Sequence, residues 1–331
     1  MKRIIVNGLI FLLSTTVCWI IIDQLVRVLN PSWVFPSHYW QGDLQRYPSP
    51  YIEFKGKPNV LDHNVYGYRW EVTDLPPHLL KIAFYGGSTG YNGTPPIAKL
   101  IEKNLVDRLG IPVRIANFSV VSSNHRQHLH NILETYRIFK PDIIIFYGGF
   151  NEITQPAHYD PRPGYPYNYF YRGETSSLKR VFLEQSPTLY LIDRIGVQFD
   201  LFSLTPLMSV RKQVYFLSEE WKREVEMKYF ETLSLAEMIS KSIGSELCDG
   251  TAQFRFFYQP YQVPTELADL HQRIRQHVAR ISYGFDVSTV FDNNMEVYTD
   301  IVHVTQSGKE TMSKAMTEII LQDKGLEKCF H

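Results

Sequence analysis

Apolar positions change their period along the chain, and each change marks an element. Ile4 to Ile22 is apolar almost throughout, broken only by Asn7, Gly8 and Ser14 to Thr16, with Lys2 and Arg3 before it and Asp23, Gln24 and Arg27 after it. A stretch with no polar face is not an amphipathic core helix, and about 20 such residues suffice to cross a bilayer. The pattern predicts a membrane anchor over residues 1–27. A cleaved signal peptide competes with that reading, but bulky Trp19 and Ile20 to Ile22 stand where a cleavage site wants small residues. The anchor is therefore expected to stay, with its basic end in the cytoplasm and the rest of the chain outside.

Over residues 28–80 the period is lost. Pro31, Pro36, Pro48, Pro50, Pro58, Pro76 and Pro77 forbid long regular elements. Trp33, Trp40, Tyr51, Phe54, Tyr66, Tyr68 and Trp70 nevertheless offer much apolar area. A stalk and a wrapped arm are expected rather than a free linker.

From residue 81 two periods alternate. Lys81 to Tyr85 is a short apolar run, and Ile97, Leu100, Ile101, Leu105 and Leu109 follow at helical spacing, opened by Thr94-Pro95 and closed by Gly110. Val113 to Phe118 reads as a second strand and Asn124 to Phe139 as a second helix. Asp142 to Tyr147 is a third strand, nearly all apolar, as a strand covered on both faces should be. Later, "QFRFFYQP" (253–260) reads as a strand, Leu267 to Ile281 as a helix, "DVSTVF" (286–291) as a last strand and Gln306 to Leu321 as a last helix. This alternation predicts an α/β fold, with a mainly parallel sheet between two helical layers over residues 81–322 and a tail over 323–331. An insertion at about 153–250 interrupts it, with an aromatic loop, "HYDPRPGYPYNYFYRG" (158–173), and a long helix from Ser218 to Ile243. That loop suits stacking on sugar rings and packing of the insertion equally well.

Composition narrows the function classes. In 331 residues, 44% hydrophobic and 21% charged positions suit a folded chain, and 34 basic against 34 acidic residues leave no basic field for nucleic acid. Cys18 lies in the anchor; Cys248 and Cys329 are open to a disulfide or to two thiols. No C-x-x-C pair or compact Cys/His cluster points to zinc. His125 and His128 share a helical face that His130 does not, so solvated or capping histidines are expected there rather than a metal site. Neither metal nor cofactor is implied. Arg126 and Gln127 lie close enough to the second strand's end to be candidates for touching a substrate.

The candidate chemistry centres on "KIAFYGGSTGYNG" (81–93). A phosphate loop would need G-x-x-x-x-G-K-[ST] and a dinucleotide site G-x-G-x-x-G, and neither is present. Gly86, Ser88 and Gly90 satisfy G-x-S-x-G, but the fold known for that elbow places it after several strands rather than after the first. A nucleophilic serine also needs a base and a residue that orients the base. "YTDIVHVTQSGKE" (298–310) offers both: Asp300 and His303, three positions apart, just before the last helix. "ANFSVVSSN" and "GGFNE" stand where the second and third strands end, the place where parallel sheets form sites.

With these blocks in view, residues 81–322 resemble the SGNH (GDSL-type) hydrolase family. Its four separated motifs occur in order as Gly87-Ser88, Asn117-Phe118-Ser119, Gly149-Phe150-Asn151 and Asp300-Ile301-Val302-His303. The resemblance implies a three-layer α/β/α sandwich in which Ser88 is nucleophile, His303 base and then acid, and Asp300 the orienting carboxylate. It further implies an oxyanion hole from the Ser88 and Ser119 N–H groups and the Asn151 amide. Gly87 replaces the family's aspartate, and Ser119 stands at the family's glycine, a cost only if that turn needs a positive φ. The implied reaction is cleavage of O-acyl, above all O-acetyl, esters, with an acylated carbohydrate such as a surface polysaccharide as substrate and the membrane as partner through the anchor. A glycan O-acetyltransferase would use the same residues, and a non-catalytic glycan-binding or assembly protein would keep only the fold.

Overall fold

The computed structural model describes residues 2–29, 46–60, 62–72, 78–158, 164, 186–199, 201, 217–245, 247–292 and 294–330. The aromatic loop at 158–173, apart from its first residue and Gly164, and the stalk residues Trp33 and Trp40 lie outside them. Two compact units are present, Met1–Leu44 with Phe170–Ser209, and Gln45–Tyr169 with Val210–His331.

The first unit holds α1 (Lys2–Leu29) and, as labelled below, α6 (Pro187–Gln198). Within α1, Val6–Leu29 is long and apolar enough to cross a membrane, and its side chains are almost all exposed. Near its end the buried Asp23 carboxylate accepts from Ser186 Oγ (2.6 Å) and the Thr188 N–H (3.1 Å), groups at the start of α6. Helix N-termini leave N–H groups without intrahelical acceptors, and here another helix's carboxylate supplies one.

The second unit opens with an antiparallel hairpin, β1 (Arg46–Ser49) and β2 (Glu53–Gly56). There follow β3 (Leu80–Gly86), the one-turn α2 (Ser88–Tyr91), α3 (Ile97–Leu109), β4 (Val113–Asn117), α4 (His125–Thr135), β5 (Ile143–Gly148) and α5 (Phe150–His158). After α6 come α7 (Glu219–Ser240), β6 (Gln253–Tyr258), α8 (Ala268–Val278), β7 (Gly284–Asp286) and α9 (Gln306–Gln322). The five strands β4-β3-β5-β6-β7 pair in parallel in that order.

Side chains alternate across this sheet, so the two faces have different cores. Leu80, Ile82, Phe84, Ile143, Ile145, Tyr147 and Phe257 pack with Ile97, Ile101 and Leu105 of α3 and Met312, Met316 and Ile320 of α9. The opposite face carries Tyr85, Phe146, Phe254 and Phe256, meeting His125, His128 and Tyr229. The fold is a three-layer α/β/α sandwich. Its arm packs on the second face: Tyr68 and Trp70 set their rings edge-on to Phe118, and the Tyr68 hydroxyl donates to Asn131 Oδ1 (2.6 Å).

Several expectations are corrected. The last strand is Gly284–Asp286 rather than 286–291, because Asp286 Oδ1 accepts from the Ser288 N–H (2.9 Å) and turns the chain there. The helix expected over 124–139 ends at Thr135; Asn124 is its cap, in a reciprocal capping box with Gln127. His125 and His128 are not solvated but fully buried, because the start of α4 faces the aromatic side of the sheet. Between two open readings for the cysteines, Cys248 and Cys329 are disulfide-bonded, and Cys18 is free.

Candidate active site

The sheet order places the first strand of the sheet, β3, between β4 and β5, so chain connections leave in opposite directions on either side of β3. In parallel α/β sheets that arrangement opens a crevice at the carboxyl ends of the strands. Ser88 follows β3, Ser119 follows β4 and Asn151 follows β5, so three adjacent strand ends deliver three candidate residues to one place.

Ser88 opens α2, with Gly87 as the capping residue. The Ser88 N–H is thus a first-turn donor without an intrahelical acceptor. Two bonds fix the turn from outside: Thr89 Oγ1 donates to Gln259 Oε1 (2.8 Å) just past β6, and Asn117 Nδ2 donates to the Gly90 carbonyl (3.1 Å) from the end of β4.

His303 reaches the turn from 215 positions away, its Nε2 2.7 Å from Ser88 Oγ. On the other side of the ring, Nδ1 donates to Asp300 Oδ2 (2.6 Å), while Asp300 Oδ1 accepts from the Val302 (2.9 Å) and His303 (2.7 Å) N–H groups. One carboxylate therefore shapes its own loop and orients the imidazole. Burial works to raise the Asp300 pKa, but the His303 and Val302 N–H groups and the imidazole outweigh it and hold the carboxyl below its ordinary value. With Nδ1–H bonded to Asp300, the neutral tautomer of the ring turns its Nε2 lone pair to Ser88.

The candidate oxyanion donors differ in their freedom. Asn151 Nδ2 spends one proton on the Ser123 carbonyl (2.7 Å), and a Cβ on Gly87 would stand 2.6 Å from the same nitrogen. The amide lies directly against the serine turn, and only glycine leaves it that place. The Ser119 N–H donates to Asn117 Oδ1 (3.1 Å), so of the three donors it is engaged in a turn of its own. Ser119 is absent from the left-handed region, so serine in place of glycine carries no backbone strain there. Its hydroxyl is buried, 2.5 Å from where a Cβ on Gly90 would stand.

Sequence reasoning missed the support beneath these residues. Glu152, buried, accepts from the Gly149 N–H (2.9 Å) and the His125 N–H (2.6 Å), tying the loop that carries Asn151 to the start of α4. Burial pushes its pKa up to about 7, against the lowering by those N–H groups. His125 lies 3.4 Å from the same carboxylate and is held neutral by burial, its pKa driven well below the ordinary value, while His128 falls to about 3. Gln127 does not face the crevice: buried in the capping box, it donates to the Ile52 carbonyl of the arm (2.8 Å). Arg126 lines a separate pocket with Glu152 and Tyr229. Among the described residues no cluster of His, Cys, Asp and Glu has the arrangement of a metal site.

No protein-family model and no curated protein sequence matches the chain. Among solved structures it is similar to the lipase Lip_vut3 from a goat rumen metagenome, at 15% identity over 72% of this chain and 96% of that one, with a TM-score of 0.43. It is similar to Axe2, an acetylxylan esterase from Geobacillus stearothermophilus, at 12% identity over 72% and 93% of the two chains, TM-score 0.41. A lipase/acylhydrolase from Enterococcus faecalis stands at 14% identity, 72% and 94% coverage and TM-score 0.39.

Proposed function

We propose that this protein is a serine esterase that cleaves O-acyl esters, O-acetyl groups on a carbohydrate foremost, through an acyl-enzyme. The observation that carries this reading is the unbroken chain from Ser88 Oγ to His303 Nε2 (2.7 Å) and from His303 Nδ1 to Asp300 (2.6 Å) at the mouth of the parallel sheet. Ser88 Oγ attacks the ester carbonyl as His303 Nε2 takes its proton, and the imidazolium formed is stabilised by Asp300. The carbonyl oxygen becomes an oxyanion held by the Ser88 N–H and the Asn151 amide, with the Ser119 N–H joining if it leaves Asn117. Collapse expels the alcohol, which receives the proton from His303. Water then enters, loses its proton to His303 and attacks the acyl carbonyl, releasing the acid and restoring Ser88.

Val6–Leu29 serves in this proposal as an uncleaved anchor that holds the catalytic unit outside the cytoplasm. The Cys248–Cys329 bond supports that location, since disulfides persist in oxidising compartments.

The test is labelling of the full chain, in detergent, with a fluorophosphonate probe. Wild type is expected to label and Ser88→Ala to remain blank at equal thermal stability. A folded wild type that neither labels nor hydrolyses 4-nitrophenyl acetate overturns the proposal.

A further inference from the structure

Beside His303 lies a small pocket whose walls include Thr89, Tyr147, Val302, Met312 and Lys309. Lys309 is the one Lys, Arg, Asp or Glu among its lining residues, in a setting otherwise mostly apolar. It stands in the first turn of α9, half-buried. Its stem runs along Gly93: a Cβ there would come within 3.0 Å of Lys309 Cδ and 2.9 Å of Nζ. The backbone is bare where the lysine passes; the ammonium lies beside Gly93, and Lys309 itself forms part of the pocket wall.

No described residue offers that ammonium an acceptor or a counter-charge, although carboxylates stand nearby in the sequence and in the arm. Asp300 is bonded to His303, and Asp62 is paired with Arg69. Arg69 instead brings a second cation close, donating to the Gly93 carbonyl (2.9 Å) and to that of Tyr91. Three effects therefore act against the charge on Lys309: partial loss of water, the Arg69 guanidinium, and the first turn of a helix, where a cation opposes the dipole. The first two depress its pKa, burial more than Arg69. A carboxylate delivered by a bound ligand would relieve all three.

We propose that Lys309 selects ester substrates that carry a carboxylate close to the scissile bond, as acidic sugars and acidic acyl chains do. The inference rests on the esterase reading of Ser88. A charge-assisted bond from lysine to carboxylate in a half-dry pocket is strong enough to shift kcat/KM by about ten- to a hundredfold.

Matched esters test it on the full-length protein in detergent. One pair, 4-nitrophenyl hydrogen succinate and its methyl ester, places the charge on the acyl side. The other, 4-acetoxybenzoate and its methyl ester, places it on the leaving group. With each acid-to-ester ratio normalised to hydroxide hydrolysis, wild type should favour the acid at least about tenfold in one pair. That preference should fall at least about tenfold in Lys309→Met, chiefly through KM, persist in Lys309→Arg and shrink with added salt. Equal turnover of acids and esters by wild type, or a preference that survives Lys309→Met, overturns the role of Lys309 and leaves the esterase reading standing. A protein that takes the fluorophosphonate label yet turns over neither acid also overturns Lys309 alone. One that hydrolyses none of the four and does not label overturns both.

Discussion

Replacing Asp300 by asparagine separates orientation of the imidazole from stability of its loop. Asp300 Oδ1 accepts two backbone N–H bonds, from Val302 and His303, and the asparagine can keep both through its side-chain carbonyl. Its amide nitrogen then faces His303 Nδ1, where Asp300 Oδ2 accepts a bond of 2.6 Å. A donor there favours the tautomer with the proton on Nε2, so His303 presents N–H instead of a lone pair to Ser88. A buried triad aspartate treated this way in another protein loses about 10⁴-fold in kcat. Asp300 has 52% of its side chain exposed, so water competes for the ring and a loss of about 10²–10³-fold is expected. The assay is the rate of fluorophosphonate labelling together with kcat on 4-nitrophenyl acetate. Thermal unfolding of Asp300→Asn should stay near wild type, whereas Asp300→Ala strands two N–H groups and should cost about 1–2 kcal/mol. Activity of Asp300→Asn within fivefold of wild type would refute the orienting role.

Two further outcomes are expected. Gly87→Ala should displace the Asn151 amide, since a Cβ there comes within 2.6 Å of Nδ2, lowering kcat about 10–10²-fold with little change in Tm; unchanged kcat would remove Asn151 from the oxyanion site. Glu152 binds its proton more tightly folded, near pH 7, than at its ordinary 4.5, so this group's stabilising contribution is full below 4.5 and lost as pH rises towards 7. The loss amounts to about 3 kcal/mol, and urea titrations at pH 4.5 and 8 should show that much less pH dependence in Glu152→Gln than in wild type; parallel curves would contradict the sign.

What could be read from the chain depended on whether a residue's neighbours are local. Ile143 to Tyr147 could be read as a strand because burial on both faces removes the polar alternation altogether. Asp300 and His303 could be read as a unit because a carboxylate three positions back can reach both the ring and the loop N–H groups. His125 and His128 could not: by type they count as polar, and only the aromatic face of β5 and β6 makes them interior. "DVSTVF" has a strand's composition, yet the Asp286 side chain ends the strand at its first residue. Glu152 bonds to Gly149 and His125 and the Lys309 stem lies along Gly93, and no spacing in the sequence announces contacts made across the fold.

The Cys248–Cys329 bond, joining positions 81 residues apart, closes a ring that contains β6, α8, β7, Asp300, His303 and α9, while Ser88 lies outside it. His303 and Asp300 thus belong to a covalent loop, and Ser88 meets them only through non-covalent packing. A protease cut anywhere between 249 and 328 would leave every fragment attached to the rest. A cut between Ser88 and Cys248 would instead divide the molecule into a piece that holds the serine and a piece that holds the histidine. The bond thereby distributes vulnerability unevenly: the half of the candidate site that holds Asp300 and His303 survives nicking as one molecule, and its connection to Ser88 does not.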